Sequence, residues 1–242
     1  TSGTSEHLYE VTYGNGLFMT MGSFGTILTS SDGTTWTSRT SGTSEHLWKV
    51  TYGNGTFVTV GGSGTLLTSP DGTTWTSRTS GTSEHLYEVT YGNGLFMTMG
   101  SFGTILTSSD GITWTQRTSG TSKPLKEVTY GNGTFVTVGE SGTIVTSSDG
   151  TSWTSRTSGT SNRLYGVTYG NGTFVTVGGS GTILTSPDGT SWTSRTSGTS
   201  QSLFGVTYGN GTFVTVGWDG IILTSSDGTS WTSRTSGTSL GL

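Results

Sequence analysis

The chain has no cysteine, three prolines and ten basic residues in 242. Disulfides and thiolate chemistry are therefore excluded, and cysteine usage leaves the redox compartment open. Ten Lys and Arg against fourteen Asp and Glu give a net charge of −4 without a basic stripe, which argues against nucleic-acid binding. No segment approaches the ~18 consecutive apolar residues of a membrane span, and Thr1–Glu10 has neither the basic nor the apolar part of a signal peptide. The expectation is a soluble protein with no membrane partner, its compartment unspecified. There is no P-loop, no H-E-x-x-H and no Ser-centred elbow, so neither a catalytic apparatus nor a cofactor is predicted.

What the chain does have is glycine, 42 residues of it, and a period. Trp36, Trp75, Trp114, Trp153, Trp192 and Trp231 recur every 39 residues. Hydrophobic residues are only 28%, a value that taken alone suits a low-complexity chain. Their order argues otherwise: aromatic and β-branched residues return at fixed positions, so apolar surface can be gathered between neighbouring units. Four short strand signals per unit of about 40 residues are what one blade of a β-propeller requires. The sequence predicts an all-β, six-bladed propeller with four antiparallel strands per blade. It is read as one domain over residues 1–242, with blades at approximately 8–39, 47–78, 86–117, 125–156, 164–195 and 203–234, because an unbroken repeat offers no linker.

The second copy shows the parts. Leu47 to Tyr52 is strand A, and Gly53-Asn54-Gly55 is a hairpin turn, since Asn-Gly tolerates positive φ. Thr56 to Val60 is strand B, Gly61 to Gly64 turns, Thr65 to Thr68 is strand C, Asp71-Gly72 turns again, and Thr74 to Arg78 is strand D. Ser69-Pro70-Asp71-Gly72-Thr73-Thr74-Trp75 resembles the Asp-box, or BNR repeat, of sialidase-like propellers, where it makes the turn between the third and fourth strands. The match recurs in every copy, for example from Ser225 to Trp231. It is one residue shorter between Asp and Trp than S-x-D-x-G-x-T-W, and copies four to six have Ser for Thr. The resemblance implies the fold and invites a sialidase reading, but the arginine cluster and Tyr-Glu pair of that chemistry cannot be assembled. Glu6 and Glu10, if extended, would stand ~13 Å apart, beyond the ~5–9.5 Å of paired glycosidase carboxylates. The prediction is that the protein is not an enzyme.

The repeated polar residues read as structural. Asp32, Asp71, Asp110, Asp149, Asp188 and Asp227 are expected to accept backbone hydrogen bonds in tight turns. The six tryptophans are expected to pack between blades with the indole N–H partnered. Arg39, Arg78, Arg117, Arg156, Arg195 and Arg234 are expected to be structural too, for example by pairing with each blade's own Asp, with sugar or phosphate binding as the other reading.

The charged residues outside the repeated Asp and Arg sets fall in two places only, the lead-in to strand A and the B–C turn, and these hold the whole net charge. In an up-and-down blade both lie at one end, so variation maps to one face. Loops on a rigid scaffold are where binding groups usually sit, and drift on exposed turns is the competing account. Candidate ligand-binding residues on this face are Tyr9, Phe24, Trp48, Lys49, Tyr87, Phe102, Arg163, Tyr165, Trp218 and Asp219, because flat rings beside charged groups suit sugar stacking or a protein contact. His7, His46 and His85 stand at equivalent places in three blades. They would share a metal only by pointing into a central channel, and are expected to be solvated rim residues, with no metal site. Leu17, Met19 and Met21, with their counterparts Leu95, Met97 and Met99, are read as a coupled repacking of a blade interface in which Phe24 and Phe102 change alongside. Two readings of function remain: a monomeric, pseudo-symmetric scaffold produced by design or recent amplification, and a lectin-like or protein-binding module that takes a glycan or protein on the variable face.

Overall fold

The computed structural model describes residues 2–241. Among these, the strands form six antiparallel sheets, each of four strands contiguous in sequence and hydrogen-bonded in sequence order. The chain divides into two compact units, Thr1–Thr118 with the first three sheets and Ser119–Leu242 with the last three. No helix among the described residues is long and apolar enough to cross a membrane.

In the second sheet strand A is Leu47–Gly53, B Thr56–Gly61, C Leu66–Ser69 and D Thr76–Ser77. Asn54 and Gly55 join A to B with φ of 44° and 74°, the pair of positive values that a two-residue hairpin matched to strand twist demands. Strand D is shorter than its alternation predicts. The N–H groups of Thr73 and Thr74 are bound by the Asp71 carboxylate and cannot join the ladder, so pairing with strand C begins only at Thr76.

One irregularity recurs in every strand A. Pairing steps from Leu47↔Gly61 to Lys49↔Val60, leaving Trp48 as the extra residue of a β-bulge. Tyr9, Tyr87, Lys126, Tyr165 and Phe204 hold the same place in their sheets. A bulge bends its strand and re-aims one side chain, here one of the most variable positions of the repeat.

Apolar residues gather between successive sheets within each unit. Met19, Met21 and Ile27 of the first sheet pack on Leu47, Val50, Phe57 and Leu67 of the second, with Tyr52 and Trp75 at the margin. Val58, Val60 and Leu66 meet Leu86, Val89, Phe96 and Leu106 in the same way. In the second unit, Val136, Val138 and Ile144 cover Leu164, Val167, Phe174 and Leu184, and Val175, Val177 and Ile183 cover Leu203, Phe213 and Leu223. Gly53 ends strand A because the ring of Tyr91 lies against its backbone, where any Cβ would overlap it. Met19, Met21, Met97 and Met99 are fully buried, and Met19 and Met21 pack in the interface with the second sheet. Phe24 and Phe102 do not take part, being 65% and 69% exposed.

Candidate binding face

The Asp turn is satisfied from within. Ser69 Oγ donates to Asp71 Oδ1 at 3.0 Å and accepts from the Gly72 N–H at 2.8 Å, while Asp71 Oδ1 accepts from the N–H of Thr73 and Thr74. The same set recurs at Asp32, Asp110, Asp149, Asp188 and Asp227. These donors hold all six carboxyls below the ordinary aspartate range, Asp188 at about 2, where the hydroxyl and N–H of Thr190 are the leading causes. Groups whose folded pKa is depressed contribute stability that is complete above the unfolded value of 3.8 and is lost as pH falls through the folded value. The melting temperature should therefore hold through the neutral range and drop between pH 3.8 and about 2, with Asp188→Asn flattening that drop. Solvent screening limits its size. Acid melts that show the same slope in the variant would count against this account.

The arginines do not pair with these aspartates. Arg78 Nε donates to Thr68 Oγ1 at 2.8 Å, and Arg39, Arg117, Arg156, Arg195 and Arg234 bind the matching threonine of strand C. The turn N–H groups already occupy Asp71, and Thr68 stands two residue pairs along the same ladder, on the same face as Arg78. The indole N–H of Trp114, Trp153, Trp192 and Trp231 donates to the glycine carbonyl three residues back, whereas that of Trp75 is buried without a partner.

The opposite end of each sheet carries the variable residues. The B–C turn is tied to two lead-ins: the Ser23 N–H donates to the His7 carbonyl and the Gly25 N–H to the Glu45 carbonyl, at 2.9 and 2.8 Å. In the first unit this brings a row of rings together. Tyr9 bonds Ser23 at 2.7 Å through its hydroxyl, and its ring centroid lies 6.2 Å from His46, which packs on Phe24 at 5.2 Å. Trp48 contacts both His85 and Tyr87, at 5.3 and 5.4 Å. His46 and His85 are thus members of the aromatic row rather than simply solvated rim residues, and His85 Nδ1 accepts the Ser63 N–H at 3.1 Å. Lys49 bridges Glu10 at 2.7 Å and Glu88 at 3.3 Å on the flanking A strands. Burial pushes the Glu10 carboxyl above its ordinary value despite Lys49.

In the second unit Arg163 lies over the Tyr165 ring at 5.5 Å and pairs with Glu140 at 2.6 Å. Tyr165, Phe204 and Trp218 form a second row with centroids 5.2 and 5.4 Å apart. Asp219 accepts a hydrogen bond from Gln201. Glu140, Phe204 and Gln201 join the face although they were not among the candidate residues; their place in the variable segments is the signal that could have found them. Phe102 stands exposed at its own turn.

One feature sets Phe24 and Phe102 apart. All six copies hold this turn position in the left-handed region, with φ of 51–55° at Phe24, Ser63, Phe102, Ser141, Ser180 and Asp219, at a cost of roughly 1–2 kcal/mol for a non-glycine residue. Only Phe24 and Phe102 place an apolar ring there, and both rings are turned to solvent. Phe24 also forms the lip of a cleft of about 610 Å³ lined by Trp36, Arg39 and the hydroxyls of Ser41 and Thr43. Similar clefts of about 580 and 520 Å³ adjoin Arg195 and Arg156, with Ser180 and Ser141 in the place of Phe24.

No family model and no curated protein sequence matches the chain. Solved structures do. YCF48 bound to D1 peptide matches with a TM-score of 0.76 at 19% identity, over 96% of this chain and 81% of that one. The computationally designed Ika8 protein matches with 0.80 at 13%, over 98% and 77%. Sqt1 of Saccharomyces cerevisiae matches with 0.76 at 13%, over 100% and 76%. The fold is a six-bladed β-propeller. At these identities the likeness establishes the fold, and the near-identity of the six units fits a repeat propeller.

Proposed function

We propose that this propeller is a non-catalytic binding module whose variable face takes an extended peptide segment of a protein partner, with aromatic or apolar side chains flanked by basic ones. The observation that carries this reading is the pair of exposed phenylalanines in left-handed turns. Their side chains gain little packing in this chain, yet they occupy a position where the repeat elsewhere uses Ser63, Ser141, Ser180 and Asp219. Apolar exposure at a turn that polar residues fill in the other copies points to a surface meant for a partner. The first unit's face holds Glu6, Glu10, Glu45, Glu84 and Glu88 against Lys49, which selects for basic flanks. That a propeller of this fold is seen bound to a peptide supports the mode of binding. A glycan-binding reading is favoured by one observation, the recurrence of hydroxyl-lined clefts beside Arg39, Arg156 and Arg195.

The test is selection from a random peptide library displayed on phage, followed by titration of the enriched peptides against the Phe24→Ser/Phe102→Ser variant. Serine is the repeat's own residue there, so the fold is retained. Truncating two interfacial aromatics should weaken binding by about tenfold or more. No enrichment, or equal affinity for the variant, would remove the peptide reading; glycan-array signals lost on Arg39→Ala would establish the other.

A further inference from the structure

Arg156 and Arg195 of the second unit are half-buried, and each side chain makes one hydrogen bond, from Nε to Oγ1 of Thr146 or Thr185 at 2.8 Å. Their terminal amino groups have no partner among the described residues. A guanidinium anchored through Nε keeps its outer N–H pair parallel, the fork that grips two oxygens of one anion. Both arginines line clefts, of about 520 Å³ at Arg156 and about 580 Å³ at Arg195, and no carboxylate lines either one. The Arg195 cleft also has the hydroxyls of Ser194, Thr196 and Ser200, which bond to no described residue, and the Arg156 cleft has the matching three.

One position of the lead-in separates these clefts from those of the first three copies. Asn162 stands there before Arg195, and its Nδ2 donates to Thr182 Oγ1 at 2.9 Å on the cleft wall. Lys123 holds the place before Arg156, whereas the first three copies have Glu6, Glu45 and Glu84. Glu45 lies against Gly62, so a glutamate here also faces the B–C turn that follows. Accordingly the whole net charge of −4 falls in the first unit, and the second is neutral, with six Lys and Arg against six Asp and Glu.

We infer that the clefts at Arg156 and Arg195 form a site for a sulfated polysaccharide, each guanidinium taking one sulfate while the hydroxyls bond the sugar. This deepens the glycan reading of the clefts and is independent of the peptide reading at Phe24. The donor set selects the anion. A carboxylate spends both oxygens on the fork, whereas a sulfate keeps a third for the hydroxyl donors. The lining selects the carrier: Ser141 and Ser180 stand where Phe24 lips its own cleft, no aromatic ring lines either site, and a hydroxyl-rich chain matches the wall. Gly159 and Thr160 line both clefts, so the two forks flank one connector, and a chain with sulfates at intervals can engage both at once.

The experiment titrates the 242-residue chain by calorimetry with a heparin oligosaccharide, the same oligosaccharide after desulfation, and a multiply phosphorylated serine peptide, at low ionic strength where screening is weak. Two double variants accompany it. Arg156→Gln/Arg195→Gln removes both forks, and Lys123→Glu/Asn162→Glu installs the residue that the first three copies already carry, so the fold is retained. The sulfated sugar should bind the parent chain and lose about tenfold or more in affinity with either double variant. Arg78→Gln, in a copy whose lead-in carries Glu45, should bind as the parent does. Four results would overturn the inference: no binding of the sulfated sugar; equal affinity in the Lys123→Glu/Asn162→Glu chain; tighter binding of the phosphorylated peptide; or equal binding of the desulfated sugar, which would leave the glycan reading standing without the sulfate.

Discussion

Replacing Phe57 by alanine should destabilise the protein by about 3–5 kcal/mol, as measured by urea unfolding followed by circular dichroism. The ring has no exposed surface, pairs across the hairpin with Tyr52 at a centroid distance of 4.6 Å, and is enclosed by Met19, Met21, Ile27, Leu47, Val50 and Leu67. Neighbours held by two sheets cannot collapse into the vacated space, so the lost transfer energy and the cavity both count. The loss would consume much of the ~5–15 kcal/mol that holds a typical domain folded. The repeat supplies an internal control. Phe18 has the same place in the first sheet and a like contact with Tyr13 at 4.8 Å, but it is only half-buried. Phe18→Ala should therefore cost clearly less. Equal losses at the two positions would show that the hairpin pair, and not packing between sheets, carries the stability.

The repeat made much of this architecture readable. A fixed period of 39 residues, Asn-Gly at each hairpin and alternation in strand B place three strands of every sheet to within about a residue, and they confine variation to one end. Trp48 shows the limit. A bulge adds a residue without altering composition, so the alternation of Leu47, Trp48 and Lys49 gives no sign that Trp48 leaves the ladder. Phe24 shows another: serine, phenylalanine and aspartate all occupy that turn position, and nothing in the letters reveals a φ of 53°. The arginines misled for a physical reason. Opposite charges suggested an Asp–Arg pair, but the Asp71 carboxylate is filled by local N–H donors before Arg78 can compete, and Thr68 lies nearer on the ladder. His46 and His85 read as solvated because their ring partners come from the adjacent lead-in and turn, which share no short-range pattern with them.

Gly25→Ala should remove both stability and the binding face, at a cost of about 2–4 kcal/mol. Gly25 has φ of 70°, and an added Cβ would overlap the Thr43 carbonyl oxygen and stand 2.6 Å from the Ser41 hydroxyl. Both obstacles belong to the connector that the turn is bonded to, through the Gly25 N–H and Glu45 carbonyl at 2.8 Å. Relief would require the turn and the connector to part, which breaks that bond and moves Phe24 off His46. The adjacent Phe24→Gly separates the two consequences. It releases the left-handed strain at roughly 1–2 kcal/mol while giving back about 0.5–1 kcal/mol in unfolded-chain entropy, so stability should hold or rise slightly. Its effect on the face is the loss of one exposed ring. Thermal melts and peptide titrations of the two variants therefore part in a defined way: Gly25→Ala loses stability and binding together, and Phe24→Gly loses binding alone. If Phe24→Gly instead melted well below the parent chain, the ring would be serving the fold through its contact with His46, and the binding face would have to be sought at Trp48 and Tyr87.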